Sequence, residues 1–382
     1  MIRNFFSKLW LIFIIKKNWK KPQKAKIIIY DHPFAYYFEK YFDKKDYQIY
    51  HNRLIEDSEL NCFLLLQCLI NFDFKFKSYK KRFFRYVNPK IAITMNDNNP
   101  AFFKLKEEFP NLITIAIQKA WKYDTEFDII YHRDKNKEKN LGYQCDYLFC
   151  YNKFIAEKFA QFIKTKKIFT IGSFLSNSKK FNIEKKNYVI FISQWRNYKN
   201  STIYHKNLTF GDWQRNEKIF LKKLFLFLKE NSLNFKVLGK TSYSGAKEKK
   251  FYDEIFGDNY EFIYQSENRE NYKILDDAKL TISLESTLAY ENLARGNKTI
   301  FFSIRNNEEQ NFDMIRFCWP ERKAEIGPNW TNSLSEAEFK RLFSIMNLSQ
   351  TEWQEIINNN FKDTLIYDLN NSKFVNLLKE IN

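Results

Sequence analysis

Three groups of side chains in this sequence have types and spacings suited to chemistry. The first is Ser283, Ser286, Thr287 and Glu291. Ser286 sits where a helix N-cap is expected, with its hydroxyl accepting a bond from a free helical N–H. Free N–H groups at a helix start bind anions, and the three hydroxyls add to them. Glu291 lies just beyond the first helical turn. A carboxylate at that depth can accept hydrogen bonds from ribose hydroxyls while phosphates rest on the helix start, giving a nucleotide site without a Gly-rich loop. The second group is Asp97 and His32, one carboxylate and one imidazole, each just after an apolar run. Both suit proton transfer. Asp97 is flanked by Asn96, Asn98 and Asn99 with no adjacent cation, and Asp31 can fix the tautomer of His32. The third is Arg196 and Lys240, cations suited to phosphate oxygens. Each group also has a plainer reading: capping and solvation around Ser286 and Glu291, an Asx-type turn at Asp97, a strand-end turn before Pro33, and solvated charge at Arg196 and Lys240.

The elements that must position these groups follow from hydrophobic patterning. Leu280–Ser283 reads as a buried strand, the helix after Ser286 presents Ala289, Leu293 and Gly296 on one side, and Lys298–Phe302 reads as the next strand. Gly296 closes the helix. A βαβ unit of this kind brings the helix start to the carboxyl end of a parallel sheet. Upstream, short strands at Lys26–Tyr30, Lys90–Thr94, Leu112–Ile117, Asp146–Cys150 and Ile168–Ile171 alternate with helical runs. Alternation predicts an α/β domain over 26–172, a parallel sheet with helices on both faces. Residues 173–186 are polar, basic and aperiodic and read as a linker. A second α/β domain spans 187–361, and 362–382 reads as a helix packing back on the first domain.

Residues 1–25 differ from the rest. Phe5–Ile15 is apolar and aromatic, and Lys16, Lys17, Lys20, Lys21 and Lys24 follow. The run is shorter than the roughly 20 residues that span a bilayer. With Trp10 and its flanking lysines it suits a helix lying on an anionic membrane surface, or one docked on the protein itself. At 382 residues and 44% hydrophobic, the chain has sizeable cores. Its 63 Lys+Arg against 45 Asp+Glu give +18, a balance that permits anionic partners without naming one. Basic residues are dispersed and no nucleic-acid-binding motif is present, so nucleic acid is not expected as a partner. The cysteines Cys62, Cys68, Cys145, Cys150 and Cys318 lack zinc-ligand spacing, and free buried thiols are expected.

A Glu followed five residues later by Gly, after a strand and a hydroxyl-rich turn, resembles the donor-nucleotide motif of GT-B glycosyltransferases. The likeness falls on Glu291 and Gly296, with Ser286 and Thr287 as the turn; Lys298 stands where many members have Pro. Ile192–Arg196 and Ile93–Asn98 are similar to segments of bacterial proteins that build O-antigen and capsule. The resemblance implies two Rossmann-like domains facing each other across a cleft. It implies a cytoplasmic glycosyltransferase, peripheral on the inner face of the membrane, that uses a nucleotide sugar, either a CMP-linked acidic sugar or a UDP or GDP sugar. The acceptor is then a surface glycan or glycolipid. In that frame Ser283, Ser286, Thr287, Glu291, Arg196 and Lys240 bind the donor nucleotide, Asp97 and His32 are catalytic, and Asn96, Asn98 and Gln118 bind the acceptor sugar. There is no Asp-x-Asp motif, so no obligatory metal or other cofactor is expected. A sugar-nucleotide epimerase or hydrolase on the same scaffold, and a non-catalytic lipid- or nucleic-acid-binding protein, are the competing readings.

Overall fold

The structure, a computed structural model, describes residues 15–52, 58–73, 75–122, 127, 142–177, 185–195, 210–240, 245–264, 270–304 and 326–381. Its strands are β1 (Lys16–Asn18), β2 (Ile27–Tyr30), β3 (Tyr47–Tyr50), β4 (Glu59–Asn61), β5 (Ile91–Thr94), β6 (Ile113–Ile117), β7 (Gln144–Cys150), β8 (Lys164–Thr170), β9 (Lys186–Ile192), β10 (Phe235–Leu238), β11 (Glu261–Ile263), β12 (Ala278–Ser283), β13 (Thr299–Phe302) and β14 (Trp330–Thr331). The helices are α1 (Cys62–Ile70), α2 (Phe76–Val87), α3 (Pro100–Phe103), α4 (Leu105–Glu108), α5 (Lys153–Ala160), α6 (Phe210–Glu230), α7 (Gly245–Phe256), α8 (Glu270–Asp277), α9 (Thr287–Ala294), α10 (Glu336–Phe343), α11 (Gln350–Phe361) and α12 (Ser372–Ile381).

Two six-stranded parallel sheets result, ordered β3-β2-β5-β6-β7-β8 and β11-β10-β9-β12-β13-β14. Interior strands such as Ile27–Tyr30 and Thr299–Phe302 are near-continuous apolar runs, buried throughout, as strands covered on both faces must be. In each sheet the chain starts in the interior, moves to one side, then returns to the other. The order therefore reverses between β2 and β5 and again between β9 and β12. Such switch points open a crevice at the carboxyl ends of the strands. Asp31 and Asn96 leave the first, and Gln194 and Glu285 leave the second. One carboxamide bond spans each: Asn96 Nδ2 donates to Asp31 Oδ2 at 3.0 Å, and the Glu285 N–H donates to Gln194 Oε1 at 3.1 Å.

Several elements depart from the sequence reading. The helical run between the strands at Lys90–Thr94 and Leu112–Ile117 is two short helices, α3 and α4, with Lys104 between them. The ribbon β1–β4 draws Lys16–Asn18 from the segment 1–25 into a parallel pair with Glu59–Asn61. Residues 173–177 are no solvated linker: Ser173, Phe174, Ser176 and Asn177 are buried. Their polarity is satisfied internally. Asn177 Nδ2 donates to Ile171 O and to Asn371 Oδ1, both at 2.8 Å. The final helix begins ten residues later than expected, because 362–371 is a strap in which a turn (362–364) and a short 3₁₀ stretch (Leu369–Asn371) flank non-helical chain. The strap crosses Gly172, which bridges Tyr367. A Cβ on Gly172 would lie 1.8 Å from the Ile366 carbonyl oxygen, and its φ is +72°, so glycine is required there. Beyond the strap, Phe374 of α12 packs on Phe38, Tyr41, Phe149 and Phe174 in the first domain.

Candidate functional site

The carboxyl ends of the two sheets meet at α9. This helix starts where the sequence places it, with Ser286 as N-cap, but the Ser286 hydroxyl makes no capping bond. Instead Ser283 Oγ accepts the Ser286 N–H at 3.1 Å and tightens the turn. Ser286 and Thr287 are half-buried. Hydroxyls and the first turn's N–H groups thus gather at one end of the β9–β12 crevice.

Glu291 lies one turn deeper and faces the first domain. Its carboxylate accepts from Tyr151 Oη at 2.9 Å and Ser173 Oγ at 2.6 Å, both first-domain groups at strand exits. Tyr272 Oη of α8 adds a third bond at 2.8 Å. Burial raises the Glu291 carboxyl above its ordinary value, and the three hydroxyls and Arg295 oppose that shift. Beside it Trp121 stacks on Tyr290, with centroids 4.5 Å apart and planes 8° apart. The remaining cavity, lined by Tyr151, Ser173, Tyr290, Glu291 and the 364–366 strap, measures about 10 Å³, about enough for one water. In this conformation a ribose has no access to Glu291. The sequence put this residue on an open cleft wall; the structure makes it a junction between the domains.

The junction is braced below. Arg295 is buried and pairs with Asp276 through Nε (3.0 Å to Oδ1) and Nη2, while Nη1 donates to the Ser176 carbonyl at 2.5 Å. This two-point pair holds α8, α9 and the segment after Ser173 together.

Asp97 is where the sequence puts it, at the exit of β5, but its surroundings differ. It is buried and ion-paired with the equally buried Lys122, Nζ to Oδ2 at 2.9 Å. The Lys119 N–H donates to Oδ1 at 3.2 Å. Lys122 also bonds Asn98 Oδ1. The expectation of a carboxylate without a counter-cation is therefore corrected: the partner is 25 residues away in sequence and arrives on the loop after β6. Asn96 is committed to Asp31, as above. Gln118 is buried and ties its own strand exit, Nε2 donating to Ala120 O and Oε1 accepting from the Tyr151 N–H. It supports Tyr151, and through it Glu291, instead of presenting a side chain to a sugar.

His32 opens a short 3₁₀ helix and stacks on His51, with centroids 4.7 Å apart. Burial, then the neighbouring His32, pushes the His51 imidazole down to about 4, and its Nδ1 accepts the Glu59 N–H at 3.0 Å. Asp31 has φ +124°, an unusual backbone for a non-glycine residue, at the first switch point. In the second domain, Lys240 keeps an exposed side chain while its N–H is held by the buried Glu248 carboxylate, which also bonds Ser193 Oγ. Arg196 lies outside the described residues. Among the described residues no group of three or more His, Cys, Asp or Glu is arranged to hold a metal.

Sequence reasoning missed Tyr151, Ser173, Tyr272 and Lys122. Position was the available signal for two of them: Tyr151 directly follows β7, and Ser173 follows Gly172, two residues past the end of β8.

Residues 115–382 match a family model described as "putative O-antigen biosynthesis protein". No curated protein matches the chain. Among solved structures, the wall teichoic acid polymerase TagF is similar at 14% identity and TM-score 0.52, over 94% of this chain and 90% of that one. The UDP-GlcNAc 2-epimerase of Methanocaldococcus jannaschii, solved with UDP-GlcNAc and UDP, is similar at 13% identity and TM-score 0.52, over 94% of this chain and all (100%) of that one. These likenesses show the fold: two Rossmann-like domains in the GT-B arrangement.

Proposed function

This chain belongs to that family of O-antigen biosynthesis proteins, and on that premise we propose that it is a glycosyltransferase acting on a nucleotide-activated sugar. The observation that carries the reading is the pairing at α9 of an uncapped hydroxyl turn with an interdomain carboxylate already held by hydroxyls. Phosphates belong on the turn of Ser283, Ser286 and Thr287, with Lys240 and Arg196 as accessory cations. Glu291 holds three hydroxyl donors in the unliganded junction. Ribose offers the same chemistry, so a nucleotide can replace Tyr151 and Ser173 once the domains part. Binding is then coupled to opening of the Glu291 junction. The donor is a CMP-linked acidic sugar or a UDP or GDP sugar, the acceptor a growing surface glycan or glycolipid, and no metal is required. The enzyme works at the inner face of the cytoplasmic membrane, where such acceptors are built.

The test is a panel of CMP, CDP, UDP and GDP measured for thermal stabilisation, since a ligand selective for the folded state must raise the melting point. A rise with one nucleotide class that is lost in Ser286→Ala/Thr287→Ala supports the reading; no rise with any of them ends it. A second reading, a 2-epimerase, draws on the full-length likeness to the Methanocaldococcus enzyme. It predicts turnover of UDP-GlcNAc with no acceptor present, which an NMR time course detects.

A further inference from the structure

The turn joining α1 to α2 carries Phe72, 85% exposed, and Ile70, 74% exposed, the two highest values among large apolar side chains of the described residues. Leu66 and Leu69 share the arc of α1 that contains Ile70 and are about half exposed, at 45% and 50%, while Leu64 and Cys68 face the core. The turn itself is a Schellman motif: the Asp73 N–H donates to Cys68 O at 2.9 Å and the Phe72 N–H to Leu69 O at 3.0 Å. Phe72 thus occupies the left-handed position that glycine normally fills, with φ +50°. The backbone is held in an unfavourable region while the aromatic ring stands exposed. Among the described residues, neither packing nor turn geometry accounts for that choice.

Cations lie toward both ends of α1. Lys75 and Lys77 follow the tip and are exposed. Lys20 and Lys21 sit beside α1: the Lys20 carbonyl accepts from Asn61 Nδ2 at 2.9 Å, and Lys21 Nζ lies 5.0 Å from the Tyr86 ring centre, whose hydroxyl bonds Gln67 Oε1. Trp19, next to Lys20, is 65% exposed. The acid within the turn, Asp73, is occupied by the Ser78 hydroxyl and the Lys75 N–H. Lys77 keeps 61% of its side chain exposed while lying 3.7 Å from Glu108. An apolar, aromatic tip set in lysines matches the two layers of an anionic bilayer surface, acyl chains beneath and phosphates above. Among the described residues no helix is long and apolar enough to cross a membrane.

We propose that Leu66, Leu69, Ile70 and Phe72 insert into an anionic membrane surface, with Lys20, Lys21, Lys75 and Lys77 on the lipid phosphates, so that the first domain is seated on the bilayer by the α1–α2 turn. This rests on the peripheral placement proposed above and not on the transferase activity. The full chain is sedimented with vesicles of phosphatidylcholine alone and of phosphatidylcholine with phosphatidylglycerol. Parent protein partitions onto the anionic vesicles in preference to the neutral ones. Phe72→Gly suits the turn better, so its melting temperature holds or rises while its vesicle partition falls. Adding Ile70→Glu lowers the partition roughly tenfold or more, since one buried apolar side chain is worth about that factor. Parent-like sedimentation of the double variant overturns the seating but leaves membrane attachment through the N-terminal segment standing. Failure of the parent to bind either vesicle overturns both. A fall in melting temperature for Phe72→Gly shows the ring to be covered by protein, by the chain's own N-terminal run or a second copy, and overturns the proposal.

Discussion

Glu291 holds three hydroxyls in a buried place, and its removal takes the carboxylate acceptor from Ser173 and Tyr272 and leaves Tyr151 with the Lys119 carbonyl at 3.3 Å. Each stranded buried group costs about 1–3 kcal/mol, so Glu291→Ala is expected to lose about 3 kcal/mol or more of unfolding free energy in denaturant titrations. A loss under about 1 kcal/mol would mean that the junction contributes little. Charge separates from hydrogen bonding in Glu291→Gln. The folded carboxyl titrates above its unfolded value because burial disfavours the anion. Its contribution to stability is therefore full at pH below the unfolded value and lost as pH rises through the folded one. The Gln variant gains on the parent as pH rises above the ordinary carboxyl range, and paired melting curves on the acid and alkaline sides of that range check it. At Asp97 the buried Lys122 decides the outcome. Asp97→Asn strands a buried ammonium and costs about 3 kcal/mol, whereas Asp97→Asn with Lys122→Met recovers most of it. Transfer activity that returns with the double variant makes Asp97 a support; activity that stays lost with stability restored makes it the base.

Helices and strands were largely readable, because buried parallel strands are apolar runs and Gly296 and Ser286 punctuate α9. What could not be read was where polar residues go. Ser173, Ser176 and Asn177 look like a solvated linker, yet they are buried with partners at α9, at Arg295 just after it and in the strap, and nothing local announces a partner some 120 to 190 residues away. Lys122 hides its role the same way, and the break at Lys104 lies within a run that looks uniformly helical. The crossing at Gly172 gives the element-scale prediction. Gly172→Ala forces a contact with the Ile366 carbonyl and a disfavoured backbone. It is expected to destabilise by about 2 kcal/mol or more, lowering the melting temperature, while Gly257→Ala, which has φ +57° but meets only the Asn259 side chain at 4.0 Å, costs about 1 kcal/mol. Equal effects at the two sites would deny the strap its importance.

At the scale of the whole molecule, the two switch points face one another and the contact between them is polar on one side of α9 and aromatic on the other. If nucleotide entry opens the junction, the Trp121–Tyr290 stack must separate. Binding of the stabilising nucleotide should then change tryptophan emission in the parent and not in Trp121→Phe. An identical change in both proteins would place the movement elsewhere. The position of Phe374 has a different kind of consequence. The aromatic cluster of Phe38, Phe149 and Phe174 is completed by a helix that leaves the ribosome only after residues 187–361 have been made. During synthesis the amino-terminal half must wait, with part of its interior open, while the other half is translated. A nascent chain arrested near residue 200 should be readily cut by protease in its first half, and one released after Ile381 should resist.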